Sequence, residues 1–150
     1  MTVVVGYVPT DVGRAALRRA AHEAELRGWK LITVYTDTID SQFDQDEQDA
    51  LAAERKVITD HLDTIGIEHE MRRFTGKPAV RGTDPSLPER GIDPGEDIVA
   101  VARESGARLV VLGLRRRSLV GKLLMGSNAQ KIMQNAPCAV LGVHVDDVTE

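Results

Sequence analysis

Short apolar runs rich in β-branched residues, each followed by a stretch of helical periodicity, limit this chain to few folds. Residues 3–8 read VVVGYV, 31–35 LITVY, 109–112 LVVL and 139–145 AVLGVHV. The first is too short for a helix and apolar at every position, which suits a strand buried on both faces. Between the runs, Leu17, Ala20, Ala21 and Ala24 recur at helical spacing, with Arg18, Arg19, Glu23 and Arg27 opposite and Gly28 as a stop. Leu51, Ile58, Leu62 and Ile65 mark one face of a second helix ending near Gly66. Asp93-Pro94 is a cap followed by proline at the first helical position, opening a third helix through Ile98, Val99, Val101 and Ala102 to Gly106. A fourth helix starts near Ser127. The loosely alternating residues 67–74, IEHEMRRF, predict a weaker strand at a sheet edge.

The order is therefore βαβαβ-loop-αβαβ. Alternation of this kind demands parallel pairing through right-handed crossovers, with helices on both faces. The fold class is α/β, an open, doubly wound parallel five-stranded sheet. At 150 residues the chain has room for one domain, 1–150, and residues 75–91 carry enough Gly and Pro to be a loop insertion in it.

Composition removes several functions. A net charge of −4 gives no basic field for nucleic acid, and 3% aromatic residues supply no stacking platform for single strands. Cys138 is the single cysteine, which excludes an internal disulfide and fits a reducing cytoplasm. No apolar run reaches the roughly 18–20 residues that span a bilayer, and residues 1–8 lack the charged start of a signal peptide. A cytoplasmic protein with no membrane partner is the expectation.

In an open parallel sheet, ligands bind beyond the carboxyl ends of the strands, where strand order reverses. The loops at residues 7–12 and 113–127 are the candidates. The second holds Gly113 as a turn after an apolar strand, and Gly126-Ser127 at a helix start. Those are the parts of a phosphate cradle, since glycine lets main chain approach an anion and free helix N–H groups point at it. Ser127 suits an N-cap with or without a ligand, and Asn128 can assist it. Arg115, Arg116 and Arg117 form the concentrated positive patch of an acidic chain, either phosphate partners or a solvated turn. Catalytic signals are weak. His22, His61, His69 and His144 scatter over four elements, fitting neither a metal set nor a triad, so no catalytic or metal residue is assigned. Asp44, Asp46, Glu47 and Asp49 read as a hydrated helix start, and Cys138 as a buried, inert thiol.

The second loop resembles that of the universal stress protein family, whose nucleotide-binding members carry Gly-x2-Gly-x9-Gly-(Ser/Thr) after the fourth strand. Gly113, Gly126 and Ser127 match in register, with Arg116 in place of the middle glycine. A glycine turn at Gly6, RAAL at 14–17, Asp93-Pro94 and the closing Ala136-Pro137-Cys138-x-Val140 extend the similarity over nearly the whole chain. The resemblance implies a Rossmann-like sheet of the adenine nucleotide alpha hydrolase type, with strand order 3-2-1-4-5. It implies a cytoplasmic stress-response module that binds ATP or a related adenine nucleotide, with AMP or no ligand as alternatives. It further implies at most weak ATP hydrolysis, and a homodimer built through the strand Ala139–Val145. By the same resemblance Val8, Pro9 and Thr10 lie beside the adenosine, and Tyr35 falls where adenine meets backbone. Val8 stands where those members place an aspartate, and Arg116 either fills the phosphate space or contacts the phosphate. Both departures keep a second reading open, a dimeric interaction module of the same fold without nucleotide.

Overall fold

The computed structural model describes residues 1–7, 11–35, 44–73, 94–115 and 127–145. Among these the elements are β1 (Thr2–Tyr7), α1 (Asp11–Arg27), β2 (Lys30–Tyr35), α2 (Gln45–Thr64), β3 (His69–Arg73), α3 (Pro94–Glu104), β4 (Leu109–Arg115), α4 (Ser127–Asn135) and β5 (Ala139–Val145). All strand pairings are parallel, in the order β3-β2-β1-β4-β5. The doubly wound sheet expected from the alternation of runs is the observed one. The loop expected at 75–91 lies outside the described residues.

Two cores follow from the alternation of side chains along each strand. Val4, Ile32 and Val110 face α3 and α4, where Ile98, Ala102 and Ile132 close the layer. Val3, Val5, Leu31 and Val111 face α1 and α2, meeting Ala16, Ala20, Ala24 and Leu62. Val3, Val4 and Val5 are fully buried, which explains why residues 3–5 show no polar alternation. Each such side chain contributes about 1.5–3 kcal/mol by leaving water. α1 is alanine-rich because it crosses the sheet closely, with Ala16, Ala20 and Ala24 at zero exposure.

Helix ends use local chemistry. Asp44 caps α2 in a reciprocal box: its Oδ1 accepts from the Glu47 N–H at 2.8 Å, and the Glu47 Oε2 accepts from the Asp44 N–H at 3.3 Å. The acidic cluster is thus an exposed helix start, as its sequence suggests. Gly28 and Gly66 adopt φ of 67° and 76°, the left-handed geometry that stops α1 and α2.

Several details differ from the sequence reading. Glu23 is not on the polar face of α1 but only 5% exposed. Its carboxylate accepts from Arg19 at 2.9 Å and from Arg27, one helical turn to either side. Burial pushes the Glu23 carboxyl up, but the bonds and charges of Arg27 and Arg19 outweigh this and hold it below its ordinary value. Ile65, expected on the buried face of α2, is the C-cap and 39% exposed. Gly6 is in no turn. It pairs with Val34 inside β1, and a Cβ there would stand 2.5 Å from Ile98 Cδ1 of α3.

The two sheet edges have opposite character. β3 carries charge: Lys30 bridges Glu68 at 3.4 Å and Glu70 at 3.0 Å, and Arg72 pairs with Glu70 and Glu104. β5 offers AVLGVHV, with Val140, Leu141 and Val143 only partly covered. Charge protects an edge from pairing with another chain, and an apolar edge invites it.

Candidate functional site

Strand order reverses between β1 and β4, because β2 and β3 continue to one side and β5 to the other. The crevice beyond the carboxyl ends of β1 and β4 is therefore where such a sheet receives a ligand. Tyr7 ends β1 and Tyr35 ends β2, and the two are register partners. Arg115 ends β4, paired with Val145 of β5. The N-termini of α1, α3 and α4 all arrive at this end, because every crossover returns from it.

Two glycines draw these helices in. Gly113 was expected as a turn after β4, but the strand continues through Arg115, and Gly113 pairs with Val143 inside it. Pairing along β5 carries the strand past the glycine. A Cβ at Gly113 would stand 2.3 Å from Val12 Cγ1 and 2.6 Å from the Val12 carbonyl oxygen. The residue serves close packing, letting the first turn of α1 rest on the end of β4. Gly6 does the same for Ile98 of α3 on the opposite face. In the first turn of α1, the Asp11 Oδ1 accepts from the Val12 N–H at 3.0 Å.

The sequence-derived site residues divide into two groups. Tyr35, Gly113, Arg115, Ser127 and Asn128 fall at the strand ends and at the first positions of α4, that is, at one end of the sheet. Ser127 opens α4 as its first helical residue, one position inside the expected cap, where a helix N–H lacks an intrahelical acceptor. Val8, Pro9, Thr10, Arg116 and Gly126 lie outside the described residues.

One constellation at this end was not read from the sequence. Arg55, on α2, holds its guanidinium 5.6 Å from the ring centroid of Tyr7 and 5.8 Å from that of Tyr35. Its signal was in the pattern: positions 51, 55, 58 and 62 form one helical stripe, and arginine occupies the second place among Leu51, Ile58 and Leu62. A cation inside an apolar stripe calls for a partner, and two aromatic faces supply one. The neighbouring Glu54 is taken by Arg14 at 3.5 Å and Arg18 at 3.0 Å, which ties α2 to α1. A narrow seam between α2 and the sheet is lined by Arg55 itself with Leu17, Leu31, Thr33, Ile58 and Glu70. It runs along the middle of β2 and belongs to packing.

Among the described residues, the histidines and the cysteine do not gather here. Among the described residues, no set of three His, Cys, Asp or Glu is placed to hold a metal ion. His61 contacts Glu25 at 3.3 Å and His69 contacts Asp63 at 2.6 Å, both away from the strand ends in question. Cys138 precedes β5 at the opposite end of the sheet, and burial pushes its thiol up, away from the reactive thiolate. Among the described residues, no helix is long and apolar enough to cross a membrane.

Comparison with known proteins agrees with this architecture. The family model described as "Universal stress protein family" matches residues 1–144. A universal stress protein of Mycolicibacterium smegmatis is 30% identical over 141 residues, covering 94% of this chain and 95% of the relative. Among solved structures, the universal stress protein from Archaeoglobus fulgidus superposes with a TM-score of 0.60 at 28% identity, over 95% of this chain and 98% of that one. A structure of the universal stress protein from A. fulgidus in complex with dAMP gives 0.55 at 25% identity, over 95% and 97%.

Proposed function

The chain belongs to the universal stress protein family, and from that premise we propose that it binds an adenine nucleotide across the carboxyl ends of β2, β1 and β4. The observation that carries the reading is the convergence of Tyr35, Gly113, Arg115 and Ser127 at one end of the sheet, at the point of reversed strand order. Neighbouring strands lie about 4.8 Å apart, so Tyr35 and Gly113, two strands from each other, are separated by roughly 10 Å. A mononucleotide fits that span with its base at the β2 side and its phosphates at the N-terminus of α4. There the free N–H groups and the helix dipole favour negative charge. Gly126 and Arg116 complete the cradle in this reading, and Val8, Pro9 and Thr10 form its wall beside the ribose. The complex of an A. fulgidus relative with dAMP supports an adenine nucleotide as the ligand class. ATP is the form we assign, with the phosphates held by main chain.

The role we infer is that of a cytoplasmic, stress-responsive binding module in one domain, 1–150, and not of an efficient enzyme. Holding a nucleotide needs only donors and a fitting cleft, whereas rapid hydrolysis also needs a positioned base or metal. We further propose a homodimer through Ala139–Val145. The contrast between the charged β3 edge and the apolar, partly covered β5 edge favours this strand. Val8 and Arg116, an apolar side chain and a bulky cation at two positions where the family resemblance implies ligand contact, favour a second reading in which the dimer functions without nucleotide.

Native mass spectrometry tests the proposal in one experiment. The expected spectrum shows twice the 16.4 kDa chain mass, and one ATP per chain after incubation with millimolar ATP. A dimer that stays at the bare protein mass supports the second reading. A monomer without nucleotide contradicts both.

A further inference from the structure

Resting on the nucleotide reading above, we infer that Arg55 is a specificity-determining residue of the pocket and selects adenine nucleotides bearing an additional phosphate on the ribose. Tyr7 and Tyr35 are the last residues of two paired strands, and Arg55 Cζ lies over both rings, at 5.6 and 5.8 Å. The cation is thus fixed at the carboxyl ends of β1 and β2, next to the reversal point, by a residue that interrupts the apolar stripe of α2.

Its electrostatic situation differs from that of its neighbours. Arg14 and Arg18 share Glu54, while no carboxylate among the described residues pairs with Arg55. The charge of Arg55 lies against the two tyrosine rings at the strand ends. A cation–π contact uses no hydrogen-bond acceptor, so the rigid fork of N–H donors keeps its bonding capacity. An arginine has donors and no acceptor, so it discriminates in favour of anionic oxygens, and the fork matches a phosphate in a two-point contact.

Position decides which phosphate this is. The 5′-phosphates belong, in the reading above, to the N-terminus of α4 beyond β4. Arg55 is over β1 and β2, where the ribose and base lie. Among the described residues, the strand ends beneath Arg55 are Tyr7 and Tyr35, neither of them an acid that could accept from the ribose hydroxyls. In doubly wound folds an arginine near this point accommodates a ribose phosphate, where a carboxylate would instead hold a free hydroxyl. The shared chemistry is a phosphate monoester on the 2′ or the 3′ oxygen of an adenine nucleotide.

Titration calorimetry on the full chain with AMP, adenosine 2′,5′-bisphosphate and adenosine 3′,5′-bisphosphate tests this and separates the two ester positions. One bisphosphate is expected to bind about 10-fold or more tightly than AMP, the gain of a charge-assisted two-point contact. Arg55→Met retains the stem and should abolish the preference for that bisphosphate over AMP. Arg55→Lys keeps charge and loses the fork, so it should retain part of the preference and also serves if the methionine variant fails to fold. Equal affinities for AMP and both bisphosphates in the wild type would overturn the inference while sparing the nucleotide site, as would a preference that survives both substitutions. Absence of binding by all three would remove the nucleotide reading and this inference with it.

Discussion

Gly113→Val is expected to lower the free energy of unfolding by about 3 kcal/mol, read as a shift in the urea midpoint with unchanged slope. A Cβ at this position meets Val12 twice, at 2.3 Å from a methyl carbon and at 2.6 Å from the carbonyl oxygen. The methyl group can rotate away. The carbonyl cannot, because it is main chain in the first turn of α1. Relief requires α1 to lift off the end of β4, and α1 seals Ala16, Ala20 and Ala24 against the sheet at zero exposure. The same displacement would open the reversal point between β1 and β4. The variant should therefore lose nucleotide binding together with stability. A change below about 0.5 kcal/mol, the range of neutral surface substitutions, would mean that the helix start is softer than this packing implies.

Gly126→Val is expected to separate those two effects. The position precedes Ser127, the first residue of α4, at the helix end proposed to receive phosphate. A branched side chain there would crowd an anion away from the main-chain donors. Losing one or two charge-assisted hydrogen bonds corresponds to an ATP affinity weaker by about 30-fold or more. Calorimetric titration with ATP, alongside thermal unfolding of the same variant, checks it. Unchanged affinity in a folded variant would contradict the placement of the phosphates at α4.

The sheet was legible because its three central strands are buried on both faces, so residues 3–7, 31–35 and 109–112 read as apolar runs. β3 was recognisable as an edge from its charges, and the Lys30, Glu70 and Arg72 network shows why such a strand tolerates them. Less legible were residues whose meaning depends on another element. A glycine in a sequence looks the same whether it turns the chain or makes room for a neighbour. Gly6 and Gly113 do the latter, for Ile98 and Val12, which are distant in sequence. Glu23 fell on the polar side of α1 by periodicity, yet Arg19 and Arg27 at four-residue spacing allow its burial. Arg55 was passed over because an apolar stripe interrupted by one cation reads as imperfect amphipathicity. Only the register that brings Tyr7 beside Tyr35 gives the cation its seat.

The central claim is one of location, that the carboxyl ends of β1, β2 and β4 together with the N-terminus of α4 take up an adenine nucleotide. Amide chemical-shift mapping of the isotopically labelled chain during an ATP titration tests it most directly. Saturable shifts are expected at Tyr7, Tyr35, Arg115, Ser127 and Asn128, with Thr2, Lys30 and Leu109 at the opposite strand ends unmoved. Shifts confined to that opposite end, or none at millimolar ATP, would contradict it.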